Sequence, residues 1–518
     1  MVPNYFVRLD DMPMTSSGKI DRKNLPLPDF AVNNAVYTAP ETEQEKLCCD
    51  ILAELLGYEQ IGVDDDFFES GGDSLRAIEY TAKLHDKGVN LALQNIFDYP
   101  TVRKLCDFLE SGTEKKLKYQ AADFDKYQGL LSNNVIDASF CPSKKALGNI
   151  LLTGATGFLG AHILDALMKE ERGRIYCLIR GNSQKEAENR IREILRYYFD
   201  DTYDSEIGKR IVPIAGDIER EELAEELPSD ISTVIHAAAS VKHYGSYSYF
   251  ERINVWGTQH VINYAKKLGA RLIHISTLSV SGNSMIDDFS AYRSVEEKFF
   301  AETSFYMDQP LDNVYIHSKF EAEKAVLDAM LAGMDAKIIR VGNLTNRASD
   351  YRFQPNYRQN AFLTRVKAAL EFGLFPDYLM PLYTEFSPVD LTAEGVVKIA
   401  QYAGKQNIFH LNSNRPIYYD RLLEVLEQLH IDLKVVDKDT FNTALRNTMK
   451  NRYTEYIYEA FQNDMDENGT LLYDSNIHIE NDFTVWFLKL VGFEWNEIDF
   501  EYIRGYVEYF RKIGFLEV

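Results

Sequence analysis

The chain is short of cysteine, short of positive charge and without a long apolar run, and each shortage removes a class of function. Its five cysteines, Cys48, Cys49, Cys106, Cys141 and Cys177, are odd in number and scattered through 518 residues. They form no CxxC pair and no His/Cys cluster. Neither a disulfide framework nor a metal centre is expected, and the thiols read as reduced, in a cytoplasmic setting. Lys and Arg number 56 against 79 Asp and Glu, a formal charge of −23. Neutralising phosphates needs the opposite balance, so nucleic acid is excluded as a general partner, though a local basic pocket is not. No apolar run is long enough to span a bilayer and no signal-peptide pattern follows Met1, so no membrane partner is expected. Internal repeats and low-complexity tracts are absent.

What is present is the composition of a folded protein of several domains, 45% hydrophobic and 26% charged. The stretch LLTGATGFLGAHILDALMKE, residues 151–170, organises the rest. Ile150, Leu151 and Leu152 read as a buried strand that breaks at Gly154, Gly157 and Gly160. An amphipathic helix follows, with Leu159, Ile163, Leu164 and Leu167 inward. Strand, glycine-rich turn and helix in that order are the context a dinucleotide fingerprint needs. Small residues admit a pyrophosphate, and the helix N-terminus offers free N–H groups. Further strands are expected at 174–181, 210–218, 232–240, 271–282 and 336–346, with helices between them, for example at 251–268 and 320–332. This alternation predicts an α/β Rossmann-type, doubly wound parallel sheet over residues 148–390. Beyond it, the aromatic-rich stretches NRYTEYIYEAFQ, DFTVWFLKLVGFEW and EYIRGYVEYFRKIGF predict a helical substrate-binding subdomain over 391–518.

Upstream, residues 38–112 predict a small four-helix bundle. An acidic helix start at ETEQEK precedes Leu47, Ile51, Leu52 and Leu55, and FFESGGDSL then places Ser74 at or near the start of a second helix. Ser74 as a plain helix cap is the simpler alternative. Residues 113–147 read as a linker. Its Tyr119, Phe124, Tyr127 and Leu130 are too apolar for free coil, which predicts that it wraps a domain. Residues 1–35 are too short for a domain. They hold a small strand, Tyr5 to Leu9, and a turn at Ser16, Ser17 and Gly18.

Three segments resemble parts of one kind of enzyme. SGKIDR, with Lys19, resembles the C-terminal tail of the adenylation domain of a nonribosomal peptide synthetase. FFESGGDSL resembles the peptidyl carrier proteins of the same synthetases, which implies 4′-phosphopantetheine on Ser74. TGATGFLG, HAAAS, ISTLSV and YIHSK, in that order, resemble the extended short-chain dehydrogenase/reductase family. Together the chain resembles the C-terminal end of a synthetase, a carrier followed by a terminal thioester reductase. The resemblance implies upstream adenylation and condensation domains and a phosphopantetheinyl transferase as partners, and a peptidyl or aminoacyl thioester as substrate. It implies reductive release of that thioester as an aldehyde, and a second hydride transfer would give an alcohol.

The residue reading agrees with the resemblance. Tyr315 and Lys319 are four apart and share a helix face, where an ammonium would favour phenolate. The family implies that Lys319 also holds the nicotinamide ribose, and that Thr277 binds the substrate carbonyl. Thr156, Gly157, Phe158 and Leu159 are expected along the pyrophosphate. Asp217 and Ile218 match the family's adenine contacts, and Ala237, Ala238 and Ala239 keep the fourth strand's end open. The second strand ends at Arg180, not at an acid. A guanidinium suits a 2′-phosphate, so NADPH is expected, with Arg190 a further candidate. Asn254 and Asn343 match family positions of less defined role. His236, His243 and His274 are read as structural and not as a proton relay. Competing readings are a carboxylic-acid reductase fragment acting on a simple acyl thioester, a Dieckmann-type cyclising release without redox chemistry, and a carrier scaffold without catalysis. Loss of the tyrosine marks the cyclases, and Tyr315 is present.

Overall fold

The computed structural model describes residues 37–516 apart from 86, 90, 92, 112–118, 226, 243–244, 283–297, 450, 452, 462–464 and 466–476. The strand expected from Tyr5 to Leu9, the turn at Ser16 to Gly18, Lys19 and His243 lie outside the described residues. The chain divides into two compact units, the first essentially its N-terminal 116 residues.

The first unit is a helical bundle, as its apolar spacing predicts. Helix α1, Glu43–Leu56, opens with a capping box. Thr42 Oγ1 accepts from Glu45 N at 3.0 Å, and the Glu45 carboxylate accepts from Thr42 N at 3.1 Å. Helices α2 (Ser74–His85), α3 (Leu93–Asp98) and α4 (Val102–Ser111) complete the bundle. Their core includes Cys48, Leu52, Phe67, Tyr80 and Ile96. The turn before α2 needs glycine at position 72, where a Cβ would lie 2.3 Å from the Phe67 ring.

The second unit is built on a seven-stranded sheet in the order β7-β6-β5-β4-β1-β2-β3. Its strands are β1 (Asn149–Thr153), β2 (Ile175–Ile179), β3 (Ile211–Ala215), β4 (Ile231–His236), β5 (Arg271–Thr277), β6 (Ala336–Val341) and β7 (Ile408–Leu411). All neighbours are parallel. Strand order reverses between β1 and β4, the topological switch point at which doubly wound sheets bind ligands. Helices α6 (Phe158–Glu170) and α7 (Gln184–Phe199) lie over one face, with α8 (Gly257–Leu268) and α9 (Val314–Leu331) over the other.

The sheet runs past residue 390, where the sequence pattern ended it. Helix α11, Val389–Ala400, puts Val389, Val396 and Ile399 into the sheet's core, and β7 adds a seventh strand. A four-residue apolar run such as IFHL carries no period that separates strand from buried helix. One aromatic stretch expected in the helical subdomain also belongs to the sheet. Helix α14, Asp482–Leu490, packs Phe483 and Phe487 against Phe409 of β7 at 5.6 and 5.3 Å between ring centres. Further helices, α10 (Ala361–Phe372), α12 (Tyr419–Gln428), α13 (Lys438–Thr448) and α15 (Phe500–Lys512), form the helical subdomain, with one core around Phe353, Leu363, Tyr506 and Phe510 and a second around Ala368, Phe441 and Leu445.

The segment before β1 is packed onto this unit. A 3-10 turn, Ala121–Tyr127, and α5, Gln128–Leu131, carry Phe124, Tyr127 and Leu131 into the core beside Phe305 and Phe320. Tyr119 hydroxyl donates to Glu321 at 2.5 Å, and Tyr127 hydroxyl donates to Asp328 at 2.8 Å, both on α9.

Candidate functional site

The fingerprint loop is shaped by two close approaches. Gly154 has φ of +77°, and a Cβ there would lie 2.7 Å from the backbone of Ala237 and Ala238. A Cβ at Gly160 would lie 2.0 Å from the Gly154 carbonyl oxygen, so the first turn of α6 can sit on the β1 loop only without a side chain. Gly157 is the residue before α6 and is exposed, and Thr156 is half-buried beside it. Phe158 and Leu159 turn inward: Phe158 lies 4.8 Å from Phe353, and Leu159 is buried. Ala237, Ala238 and Ala239 follow β4 and remain half-buried. The exposed turn, small neighbours and helix N-terminus fit a dinucleotide pyrophosphate.

Two arginines meet at the end of β2. Arg180 is exposed, and the Arg190 guanidinium of α7 donates to the Arg180 carbonyl oxygen. Across the loop from β3, Asp217 accepts from Glu219 N at 3.0 Å, and Ile218 is buried against Gly257.

Thr277 ends β5, and Tyr315 and Lys319 begin α9. Asn313 caps that helix, its side-chain oxygen accepting from Tyr315 N at 2.9 Å and Ile316 N at 3.2 Å. The sequence reading passed over this residue, although asparagine just before a helical run is a recognisable start signal. Tyr315 bonds to Thr277 through their side chains. Burial pushes the Tyr315 phenol above its ordinary value, and the Thr277 hydrogen bond pulls it back. Burial therefore dominates, where the sequence led us to expect the neighbouring ammonium to favour phenolate. Lys319 is buried, with Nζ donating to Ile275 O at 2.9 Å and facing His274 Nε2 at 3.3 Å. Burial lowers the lysine to about 8, and Glu323 one turn along α9 opposes that fall.

His236 is a strut. Ala238 N donates to Thr153 Oγ1, whose hydroxyl meets His236 Nδ1 at 2.8 Å; His236 Nε2 meets Thr258 Oγ1, which donates to Asn254 O. Both ring nitrogens are thus committed, and burial lowers His236 to about 3. His274 is neutral for the same reason and for the nearby Lys319. Asn254 is fully employed, accepting from Ser240 N and donating to Ser240 O and Ser318 Oγ at 2.8, 3.0 and 2.9 Å. It ties the loop after β4 to α9. Asn343 lies just past β6, exposed at the sheet's carboxyl edge.

In the first unit, Ser74 is the first residue of α2. The cap of that helix is Asp73, whose side chain accepts from Arg76 N at 2.9 Å. The capping task that would explain a serine here is therefore already filled.

Residues 152–396 match the NAD-binding family described as "Male sterility protein", and residues 48–109 match the family described as "Phosphopantetheine attachment site". The chain is 33% identical to an archaeal structure, a thiolation-reductase di-domain of a non-ribosomal peptide synthetase. The match covers 93% of this chain and 100% of that one, with a TM-score of 0.79. The reductase domain of the aureusimine biosynthetic cluster superposes with a TM-score of 0.65 at 28% identity, covering 77% of this chain and 100% of that one. A linear gramicidin synthase protein of Brevibacillus parabrevis is 28% identical over 536 residues, 100% of this chain. This chain spans only 10% of that protein's length.

Proposed function

The chain belongs to the thiolation-reductase di-domains of nonribosomal peptide synthetases, and from that premise we propose that it releases a carrier-bound peptidyl or aminoacyl thioester as an aldehyde, with NADPH as reductant. A phosphopantetheine attachment site, a nicotinamide-binding sheet and an oxidoreductase of the extended short-chain type come with the family. The proposed domains are the carrier, 38–112, a linker, 113–147, and a reductase from 148 onward, whose sheet extends to β7 and whose helical subdomain is interleaved with it. The proposed partners are upstream adenylation and condensation domains and a phosphopantetheinyl transferase acting on Ser74, in the cytoplasm. No helix among the described residues is long and apolar enough to cross a membrane.

The observation that carries the reading is the assembly of Thr277, Tyr315 and Lys319 at the carboxyl end of β5, beside the switch point. When bound, the nicotinamide supplies hydride and the arm on Ser74 presents the thioester carbonyl. Thr277 and Tyr315 place two hydroxyls where the carbonyl oxygen gains charge. Burial keeps Tyr315 a neutral phenol, the form that can give a proton to that oxygen. The Thr277 hydrogen bond stabilises the phenolate left behind. Lys319, anchored to the Ile275 carbonyl, would hold the cofactor ribose through its ammonium. Arg180 and Arg190, together at the end of β2, suit a 2′-phosphate. Gly154, Thr156, Gly157 and Gly160, with Ala237 to Ala239, receive the pyrophosphate, Asp217 and Ile218 the adenine.

The test is NADPH oxidation by the phosphopantetheinylated chain loaded with an N-acetylphenylalanyl thioester, with products identified by mass. Aldehyde or alcohol should form at the expense of NADPH and be lost in Tyr315→Phe. Thioester consumed with no NADPH oxidised would overturn the reading in favour of cyclising or hydrolytic release.

A further inference from the structure

A second ionisable group lies at the floor of the sheet's carboxyl edge. Strands β5 and β6 are in register with Thr277 opposite Val341, so Gly342 and Asn343 form the turn immediately beside Thr277. Glu385 packs against that turn. A Cβ at Gly342 would lie 2.5 Å from Glu385 Oε1 and 2.6 Å from Asn412 Cβ, so the carboxylate occupies the place a side chain would take. Ser387 hydroxyl, the Asn412 side chain and the backbone N–H of Asn343 donate to it, and the Ser413 N–H is shared between it and Ser387 Oγ, which it meets at 2.9 Å. These donors come from three segments: the turn after β6, the turn after β7, and the short strand Ser387–Pro388, which pairs with Leu344–Thr345. Glu385 is deeply desolvated yet only half-buried by surface, as Tyr315 is, so each keeps an accessible edge.

We propose that Glu385 is a positioning residue of the reductase: its ionised carboxylate gathers four donors and holds the Gly342–Asn343 turn in place beside Thr277. The inference rests on the reading of Thr277 as a residue that meets the substrate carbonyl. An ionised carboxylate can accept all four bonds, whereas a protonated one turns an acceptor site into a donor and must release a partner. Burial raises this carboxyl to about 7, against hydrogen bonds from neutral groups that lower it. Charged side chains on the adjoining segments are engaged elsewhere. Arg415 pairs with Glu497 at 3.3 Å, and Asp390 of α11 accepts from Ala348 N at 2.8 Å and Ser349 Oγ at 2.9 Å. The turn beside Thr277 therefore loosens as pH falls through neutrality.

The experiment is the pH profile of kcat/KM for NADPH oxidation with the loaded N-acetylphenylalanyl thioester. Wild type should lose activity as pH falls below about 7. Glu385→Gln should lack that limb and run roughly 10- to 100-fold slower at pH 8, the cost of a misplaced reacting group. Asn412→Ala removes one neutral donor from the carboxylate and should move the limb to higher pH, which a merely structural asparagine would not do. A second readout needs neither cofactor nor substrate. A carboxyl raised in the folded state binds protons that the unfolded chain has released, so the unloaded wild type should lose stability relative to Glu385→Gln as pH rises from 5 to about 7. An acid limb unchanged in Glu385→Gln, or unmoved in Asn412→Ala, overturns the proposal while leaving the reductase reading intact. A wild type that consumes no NADPH at any pH overturns both.

Discussion

Replacing Glu323 by glutamine should shift the pH at which the reductase stops working without altering any group that meets substrate. Glu323 lies one turn past Lys319 on α9, fully buried, and accepts from Arg340 Nε at 3.1 Å and Nη2 at 2.8 Å. It is the group that opposes the burial-driven fall of Lys319 to about 8. Two unit charges roughly 6 Å apart at an effective permittivity of about 20 interact by roughly 3 kcal/mol, which is about 2 pK units. Lys319 should then titrate near ~6, and its charged fraction at pH 7 should fall from about nine-tenths to about one-tenth. With the Glu385 limb unchanged, the optimum moves from roughly pH 7.5 to roughly 6.5 and its height falls about tenfold.

The substitution also strands a buried guanidinium, at a cost of about 3–5 kcal/mol in stability, so the profile must be taken well below the melting temperature. The double variant Glu323→Gln/Arg340→Met removes the stranded charge. It should regain stability while keeping the base limb below that of wild type. The linkage sign is opposite to that of Glu385. A lysine lowered from 10.5 to about 8 destabilises the fold below pH 8, and that penalty lifts as pH rises toward 10.5. A folded Glu323→Gln whose base limb stays at 8 would refute the electrostatic argument.

Three further substitutions test the cofactor cradle. Gly160→Ala puts a methyl 2.0 Å from the Gly154 carbonyl, and should cost about 3 kcal/mol or more of stability and abolish NADPH binding. Unfolding and fluorescence titration check this, and wild-type values in both would show that the helix can move away. Arg180→Ala and Arg190→Ala should each raise KM for NADPH about tenfold, the equivalent of one charge-assisted hydrogen bond, while leaving KM for NADH nearly unchanged. Equal loss with both cofactors would remove the 2′-phosphate assignment.

How much of this was legible in sequence follows from how local each feature is. The strand, glycine turn and helix at 151–170 are contiguous, and Tyr315 and Lys319 are neighbours on one helix, so their period announces them. The register that brings Gly342 beside Thr277 depends on pairing between strands about sixty residues apart, which periodicity does not encode. Glu385 lies in an irregular stretch between short strands, and its burial arises from three segments converging. Strand β7 was hidden by its brevity. The aromatic stripe of α14 has the same spacing as that of α15, yet one packs on the sheet and the other in the helical subdomain. An amphipathic helix declares that it has a partner, not which one. His236 and His274 lie buried on neighbouring strands, where a single ring on an apolar strand is more economically a core residue than a relay.

The packing of Tyr119 and Tyr127 on α9 bears on how such modules can be recombined. The helix that presents Tyr315 and Lys319 is braced on its far side by chain that precedes the first strand by some thirty residues. A graft joined at β1 would discard that brace, leaving the partners of Tyr119 on α9, His317 and Glu321, without it. The transplantable reductase therefore begins at Tyr119, and a foreign carrier should be spliced upstream of it.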